Sequence, residues 1–144
     1  RRDIELPDGH NVRQGKGTVL AEGNDVVVIG YGPLLLSEAL LTGEELKKDG
    51  IGVKVVELPW LKDIDGKWLR KTIGDSKHVF CLENHAVGGQ SEEVLLALSG
   101  DFGRAKFHTI GIKGYGRSGG PEEIMTHYGI DSLSISDKIR EELR

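Results

Sequence analysis

Hydrophobic and polar residues alternate along the chain in blocks that predict strands followed by helices. Short runs of β-branched and other apolar residues, bounded by charged residues or glycine, are typical of strands buried on both faces of a sheet. Five such runs occur, at residues 18–21, 25–30, 53–58, 78–83 and 106–112. Because apolar residues recur at helical spacing between and after these runs, the pattern predicts an α/β sandwich with a mostly parallel sheet.

Capping signals mark the ends of the first three predicted helices. The helix over 34–49 carries two lysines in its last turn and is followed by Gly50, which suits the residue just beyond a helix end. A shorter helix over 66–74 ends at a glycine. The helix over 91–98 has two acidic residues in its first turn, where the helix dipole favours negative charge.

Two further helices are predicted near the carboxyl terminus. Pro121 opens the first of them at the position that proline prefers, and Gly129 closes it. Ser134 and Asp137 resemble a capping box for the last helix. The apolar residues of that helix are Ile135, Ile139 and Leu143.

Length and charge restrict the classes of protein to which the chain can belong. Its 144 residues suit one domain, and its net charge of -4 gives no basic stripe for nucleic acid. No apolar run approaches the roughly 20 residues that a membrane-spanning helix needs. The single cysteine, Cys81, cannot form an internal disulfide, so we expect a cytoplasmic protein.

The beginning of the chain predicts that it is part of something larger. It opens with two arginines, and Met125 is its only methionine, so we expect a trimmed product or a piece of a longer protein. The first segment is polar, rich in glycine and aperiodic. We therefore predict that residues 1–15 are a linker from a missing upstream domain and that residues 16–144 form the domain.

Polar residues end the fourth predicted strand abruptly. Glu83, Asn84 and His85 follow its apolar run, and Gly88 and Gly89 precede the next helix. Ligands of open α/β sheets gather at the carboxyl ends of the strands, so these residues are candidates for a site. Glu83 and His85 are two apart and can share one face, where a carboxylate can orient an imidazole for catalysis or brace a loop.

The sequence supports three other kinds of site less well. Cys81 with His85 suggests a thiol nucleophile and its base, but a free cysteine inside an apolar strand usually acts as a small hydrophobe. A zinc set of His78, Cys81 and His85 conflicts with strand alternation, which sends residues three apart to opposite faces. The Gly-x-Gly turn after the second strand has Leu35 where a dinucleotide site needs a third glycine, which favours a tight turn.

A glycine-rich loop near residue 117 is a second candidate region. Arg117 and Ser118 stand just before the helix that Pro121 opens, so an anion could bind there. The alternative interpretation is a solvated loop, which we favour.

Several blocks taken in order resemble the C-terminal domain of the transketolase family. They are GKGTVLAEGNDVVVIGYG, GVKVVELPWLKDID, VFCLENHAVGGQSEEV and IGIKGYGRSGGPEEIMTHYGID. The likeness covers about residues 15–140. LENHAVGG is similar to the family's Glu-acid-His and Gly-Gly segment, with Asn84 where an acid is common. Asp63 departs from the family, which often has a proline before the Ile-Asp pair that follows.

The resemblance implies a fold and an activity. The fold is a three-layer α/β/α sandwich with a five-stranded mixed sheet, in which one edge strand is antiparallel to the rest. The first two strands then lie apart, although the short Gly23–Asn24 turn between them would suit a hairpin. The activity is that of a thiamine-diphosphate-dependent transketolase, which transfers a two-carbon ketol unit between sugar phosphates. Deoxyxylulose phosphate synthases and the β subunits of 2-oxo-acid dehydrogenases share the domain and are the alternatives.

The resemblance also implies which parts of the enzyme this chain lacks. In the family, upstream domains bind thiamine diphosphate and a divalent metal, Mg²⁺ or Ca²⁺, on a Gly-Asp-Gly motif followed by an asparagine. This chain has no Gly-Asp-Gly. We therefore predict no catalytic, cofactor or metal residue here, and an inactive isolated chain. The expected partners are the N-terminal transketolase domains or subunit, in a homodimer of the complete enzyme.

Under this interpretation, the residues after the fourth strand press on neighbouring domains. Paired polar groups there would fix orientation, and the glycines would allow close approach. The candidate interface or anion-binding residues are Glu83, Asn84, His85, Gly88, Gly89, Arg117 and Ser118. An independent small-ligand or interaction module remains the third alternative.

Overall fold

The computed structural model contains the predicted strands and helices in the predicted order. It describes residues 3–86, 88–99, 101 and 103–144. Within these residues the strands are β1 (Thr18–Ala21), β2 (Val26–Gly30), β3 (Val53–Glu57), β4 (His78–Ala86) and β5 (Lys106–Ile112). The helices are α1 (Gly32–Lys47), α2 (Gly66–Ile73), α3 (Gln90–Ala97), α4 (Pro121–Tyr128) and α5 (Ser132–Glu142).

The strands form one mixed sheet in the order β1-β3-β2-β4-β5. β1 is antiparallel to β3, and the other neighbours are parallel, which confirms the predicted sheet. β1 and β2 are not paired, because β3 lies between them. Gly23 instead lies against the start of β3, where a side chain would place a Cβ 2.4 Å from the carbonyl carbon of Val53.

Alternating residues of the central strands supply two hydrophobic cores, one on each face of the sheet. In β2, Val26 and Val28 belong to the first core, and Val27 and Ile29 belong to the second. Helices α1, α4 and α5, with Ile130 between α4 and α5, contribute to the first core, and α2 and α3, with Leu98 directly after α3, contribute to the second. This arrangement confirms the three-layer α/β/α sandwich.

The structure corrects two predicted helix starts. α1 begins at Gly32, two residues early, because Pro33 occupies the first turn, where its fixed φ suits a helix. α5 begins at Ser132, so the predicted Ser134–Asp137 capping box is wrong. Asp131 is the cap instead, and its carboxylate accepts hydrogen bonds from the backbone N–H (3.2 Å) and the hydroxyl (2.6 Å) of Ser134.

Two histidines join β4 to β5 at the amino end of the sheet. The Nδ1 atom of His78 lies 3.0 Å from the Nε2 atom of His108, and the His108 ring stacks on Phe80 at 4.3 Å. Burial lowers the pKa of both imidazoles, and the charge of Lys106 lowers it further, while the Glu142 carboxylate acts in the opposite direction. The pair therefore prefers to be neutral in the folded chain.

We expect this pair to make the domain less stable in mild acid. The pKa values of both histidines in the folded chain lie below the unfolded value of about 6.5. Above a pH of about 6.5, their contribution to the free energy of unfolding is therefore present in full. As the pH falls through about 6.5 toward the folded pKa values, the unfolded chain binds more protons and the free energy of unfolding drops. Urea unfolding at pH 7.5 and pH 5.5 measures the loss, which should be smaller in His108→Asn. The exposed His127→Asn control should keep the wild-type pH dependence, and an equal loss in all three proteins would contradict the prediction.

Candidate functional site

The carboxyl end of the sheet brings five of the predicted residues together with one that sequence analysis missed. Because β2 and β4 are neighbouring parallel strands, the residues at their ends meet at one edge. We call this group the strand-end cluster. It consists of Tyr31, Glu83, Asn84, His85, Gly88 and Gly89.

Glu83 is a fully buried carboxylate that caps helix α3 from outside the helix. It accepts hydrogen bonds from the backbone N–H groups of Gly88 (3.1 Å), Gly89 (3.1 Å) and Ser91 (2.9 Å). Gly89 is the N-cap residue and has no side chain that could do this itself. The negative charge is therefore balanced by three donors at the positive end of the helix dipole.

His85 is exposed and lies directly against Gly89. A Cβ on Gly89 would be only 2.4 Å from the Cε1 atom of the imidazole. The Nδ1 atom of His85 lies 2.6 Å from the carbonyl oxygen of Ala86. Gly89 thus allows a close approach of the imidazole within the chain, and the Glu83 carboxylate is directed to the helix rather than to the imidazole. The close approach of a neighbouring domain at the two glycines stays a prediction.

Tyr31 is the member of the cluster that sequence analysis missed. Its hydroxyl donates a hydrogen bond to the Oδ1 atom of Asn84 (3.3 Å), and its ring centroid is 6.2 Å from that of His85. Burial raises the pKa of the Tyr31 phenol, and the charge of Glu83 raises it further. The position of Tyr31 directly after β2, at the same edge as the end of β4, is the signal that could have revealed it.

The start of α3 is also tied to the loop after β3. The buried side-chain amide of Gln90 donates hydrogen bonds to the carbonyl oxygens of Leu58 (2.6 Å) and Trp60 (3.0 Å). Further along this loop, Asp63 has a φ of 55°. Proline cannot adopt that torsion because its ring holds φ near −65°. The backbone at Asp63 therefore differs from the one that a family member with proline at this position must adopt.

Arg117 and Ser118 lie in an exposed segment before α4, apart from the strand-end cluster. The guanidinium Nη1 of Arg117 is 3.2 Å from the Nδ1 atom of His127. Both residues line a cleft with Glu122 and Glu123, whose negative charge disfavours an anion there. The geometry suits the solvated loop better, and anion binding stays a prediction.

The other early candidates occupy core or turn positions. Cys81 is 1% exposed, and burial raises its pKa to about 12, so it carries no thiolate at neutral pH. Leu35 is fully buried, and Gly32 adopts the left-handed torsion of a tight turn at a φ of 69°. Among the described residues, no group of three or more His, Cys, Asp or Glu side chains could hold a metal.

Comparison with known proteins identifies the family. The family model for the transketolase C-terminal domain matches residues 15–135. The chain belongs to this family. Within the described residues of this transketolase C-terminal domain, no helix is both long enough and apolar enough to span a membrane.

Curated relatives of this transketolase C-terminal domain are mostly much longer proteins. A transketolase C-terminal section from Methanocaldococcus jannaschii is 35% identical over 150 residues, which cover 100% of this chain and 46% of the relative. Human transketolase is 32% identical, covering 90% of this chain and 21% of its own length. The 1-deoxy-D-xylulose-5-phosphate synthase of Chlamydia muridarum is 30% identical, covering 96% and 22%. The chain therefore spans less than half the length of each.

Solved structures agree with the assignment. A structure described as a split gene transketolase, inactive beta4 tetramer, has a TM-score of 0.85 at 26% identity and matches 97% of this chain and 46% of its own. The transketolase of Campylobacter jejuni has a TM-score of 0.70 at 18% identity, covering 96% of this chain and 20% of its own, and supports the fold alone.

Proposed function

We propose that this chain is the C-terminal domain or subunit of a thiamine-diphosphate-dependent transketolase. The complete enzyme transfers a two-carbon ketol unit between sugar phosphates. The family match over residues 15–135, in a chain that spans 46% of a transketolase C-terminal section, is the observation that carries this proposal. The chemistry belongs to domains outside this chain, and the role of this domain is assembly and domain packing.

The strand-end cluster supports a role in assembly. The one buried charge of the cluster, on Glu83, caps α3. Asn84, His85 and Ala86, which follow Glu83 in the chain, are exposed. Exposed polar side chains beside a strand end that Glu83 ties to α3 are suited to orienting a neighbouring domain. Residues 1–15 then act as the linker from an upstream domain, and the complete enzyme is a cytoplasmic homodimer.

A deoxyxylulose phosphate synthase is the second candidate for the complete enzyme. The 30% identity to the Chlamydia muridarum synthase over 96% of this chain favours it. The two candidates use the same cofactor and differ in their substrates. Turnover assays of the assembled enzyme that compare ketol transfer between sugar phosphates with formation of 1-deoxy-D-xylulose 5-phosphate distinguish them.

Complementation tests the proposal. The companion is the segment that carries Gly-Asp-Gly followed by an asparagine, either upstream in the same protein or in a separate polypeptide of the same genome. We expect ketol transfer only when this chain and the companion are present together with thiamine diphosphate and Mg²⁺ or Ca²⁺. Titration calorimetry of the isolated chain with thiamine diphosphate and Mg²⁺ should show no heat. A dissociation constant tighter than about 100 μM, or −5.5 kcal/mol, or a failure of the companion to bind this chain, would refute the proposal.

A further inference from the structure

We infer that residues 7–14 form a strap that His10, Thr18 and Glu57 hold against the sheet, and that ionisation of Glu57 opens it. The strap lies outside the proposed function, and its test uses this chain alone. Its consequence is that the pH sets how much of the chain ahead of Gly15 is free to move.

The strap joins the domain at a fixed stretch of backbone. Gly15 is buried, and its carbonyl oxygen accepts a hydrogen bond from the N–H of Asp65 (2.8 Å). The carbonyl oxygen of Lys16 accepts a second one from the indole N–H of Trp60 (2.8 Å). These two hydrogen bonds hold the end of the strap in place whether the strap is open or closed.

His10 connects the strap to the sheet. Residues 7–9 and 11–14 are exposed, whereas His10 is half-buried. The Nδ1 atom of His10 lies 3.1 Å from the hydroxyl oxygen of Thr18 in β1. Thr18 is paired with Glu57 at the end of β3, and residues opposite each other on neighbouring strands share a face. The imidazole, the hydroxyl and the carboxyl group therefore form one cluster, which we call the latch.

The Glu57 carboxyl group has an oxygen atom that the folded chain leaves without a partner. Its Oε2 atom is buried and has no hydrogen-bond partner among the described residues. Burial raises the pKa of Glu57, whereas the charge of His10 and a hydrogen bond with Thr18 lower it. An ionised Glu57 in the closed strap therefore depends on the latch for compensation that the rest of its surroundings does not supply.

The other charged groups near the latch do not replace His10. The neighbour of Glu57 in β2 is Gly30, which has no side chain. The ammonium group of Lys16 is paired with the carboxylate of Asp65 (3.5 Å). Within the part of the chain that the structure describes, His10 is the charged group that acts on the pKa of Glu57. The charged residues in the recess beside the strap are Asp8, Arg13 and Lys16.

These contacts set the sign of the pH dependence. The pKa of Glu57 in the closed strap lies above the ordinary value of about 4.3. Its contribution to closure is therefore complete below that value and is lost as the pH rises through the raised pKa. At higher pH the ionised carboxylate has a buried oxygen without a donor, and opening the strap lets water reach it. Acid that protonates His10 adds a positive charge beside Glu57, so both groups favour closure at low pH.

Hydrogen exchange of this chain measures the opening. The amide of His10 donates to the carbonyl oxygen of Pro7 (2.9 Å) and reports on the strap. NMR gives its protection factor at pH 5.5 and pH 7.5, corrected for the intrinsic exchange rate at each pH. In the wild-type chain we expect a fall of about tenfold between these values, since opening is coupled to the loss of up to one proton. The indole N–H of Trp60 should keep its protection, because it belongs to the fixed stretch.

Three variants test the latch. Glu57→Gln removes the ionisation and keeps the size of the side chain, so the protection factor should agree at the two pH values within about twofold. Thr18→Val removes the hydroxyl but keeps a β-branched residue in β1, so the protection at pH 5.5 should fall to the wild-type value at pH 7.5. His108→Asn disrupts the histidine pair between β4 and β5 and should keep the wild-type response of the strap. Circular dichroism verifies that each variant is folded, and Glu57→Gln suffices for the test if Thr18→Val is not.

Four results would overturn the inference. The first is a wild-type protection factor that does not change between pH 5.5 and pH 7.5. The second is a Glu57→Gln chain that keeps the full wild-type response. The third is a folded Thr18→Val chain that is as protected as wild type at pH 5.5. The fourth is a loss of protection at the Trp60 indole equal to that at His10, which would mean that the whole domain opens rather than the strap.

Discussion

Replacing Glu83 by alanine should lower the free energy of unfolding by about 3–5 kcal/mol. The carboxylate is fully buried and accepts three backbone hydrogen bonds at the start of α3. Its removal leaves the N–H groups of Gly88, Gly89 and Ser91 without their acceptor. A buried unsatisfied donor such as the Ser91 N–H costs about 1–3 kcal/mol, and the partly buried N–H groups of Gly88 and Gly89 cost less. Water entering the vacated space recovers part of that cost. Urea unfolding followed by circular dichroism measures the change.

Two variants control this experiment. Glu83→Gln keeps one acceptor oxygen but points an NH₂ group at N–H donors, so its loss should lie between those of wild type and alanine. Glu92→Gln removes an exposed negative charge from the first turn of the same helix, where charge contributes about 0.3–1 kcal/mol. If Glu83→Ala costs no more than Glu92→Gln, Glu83 is not the cap of α3. Hydrogen exchange at Gly88, Gly89 and Ser91 should also accelerate only in the Glu83 variants.

Replacing Gly66 by alanine should cost about 3 kcal/mol, although alanine is the better helix former by about 1 kcal/mol. Gly66 is the first residue of α2, and a Cβ there would lie 2.1 Å from the carbonyl oxygen of Ala97 in α3. That oxygen belongs to the backbone and cannot rotate away as a side chain could. The two helices must therefore separate, which disturbs the core between them and the sheet. Chemical unfolding and the thermal midpoint both report the loss.

Gly116→Ala is the matched control for this substitution. No heavy atom lies within 4 Å of a Cβ at Gly116, and its backbone torsion is not left-handed. We expect the stability of this variant to remain within about 0.5 kcal/mol of wild type. A Gly66→Ala protein that is more stable than wild type would show that helix propensity outweighs the contact with Ala97.

Local sequence signals predicted the elements well where the signal and its partner lie close along the chain. The run of β-branched residues over β2 is apolar throughout because that strand is buried on both faces, and the three valines of β3 are its buried positions. The end of the sequence was harder to interpret. Ser134 with Asp137 and Asp131 with Ser134 have the same spacing, and both pairs are chemically able to cap a helix. Only the hydrogen bonds of Asp131 identify the actual start of α5.

The residues of the site were identified from the sequence, but their roles were not. Polar groups at the end of an apolar strand drew attention to Glu83 and His85 because ligand sites form at strand ends. The sequence suggested that one orients the other. In the structure Glu83 binds the amides of α3, and His85 binds its own neighbour. Tyr31 was missed because it is distant in sequence, and only the pairing of β2 with β4 brings it close.

The sequence by itself determined which segments are strands and helices, which family the chain resembles, and where the polar residues at the end of β4 occur. These properties follow from side-chain periodicity and from short motifs, both of which are local. The tertiary structure alone decided that Glu83 is a buried helix cap, that the His85 ring packs directly against Gly89, and that Gly66 allows α2 to approach α3. Each of these depends on distances between segments, and those distances are set when the helices pack on the sheet.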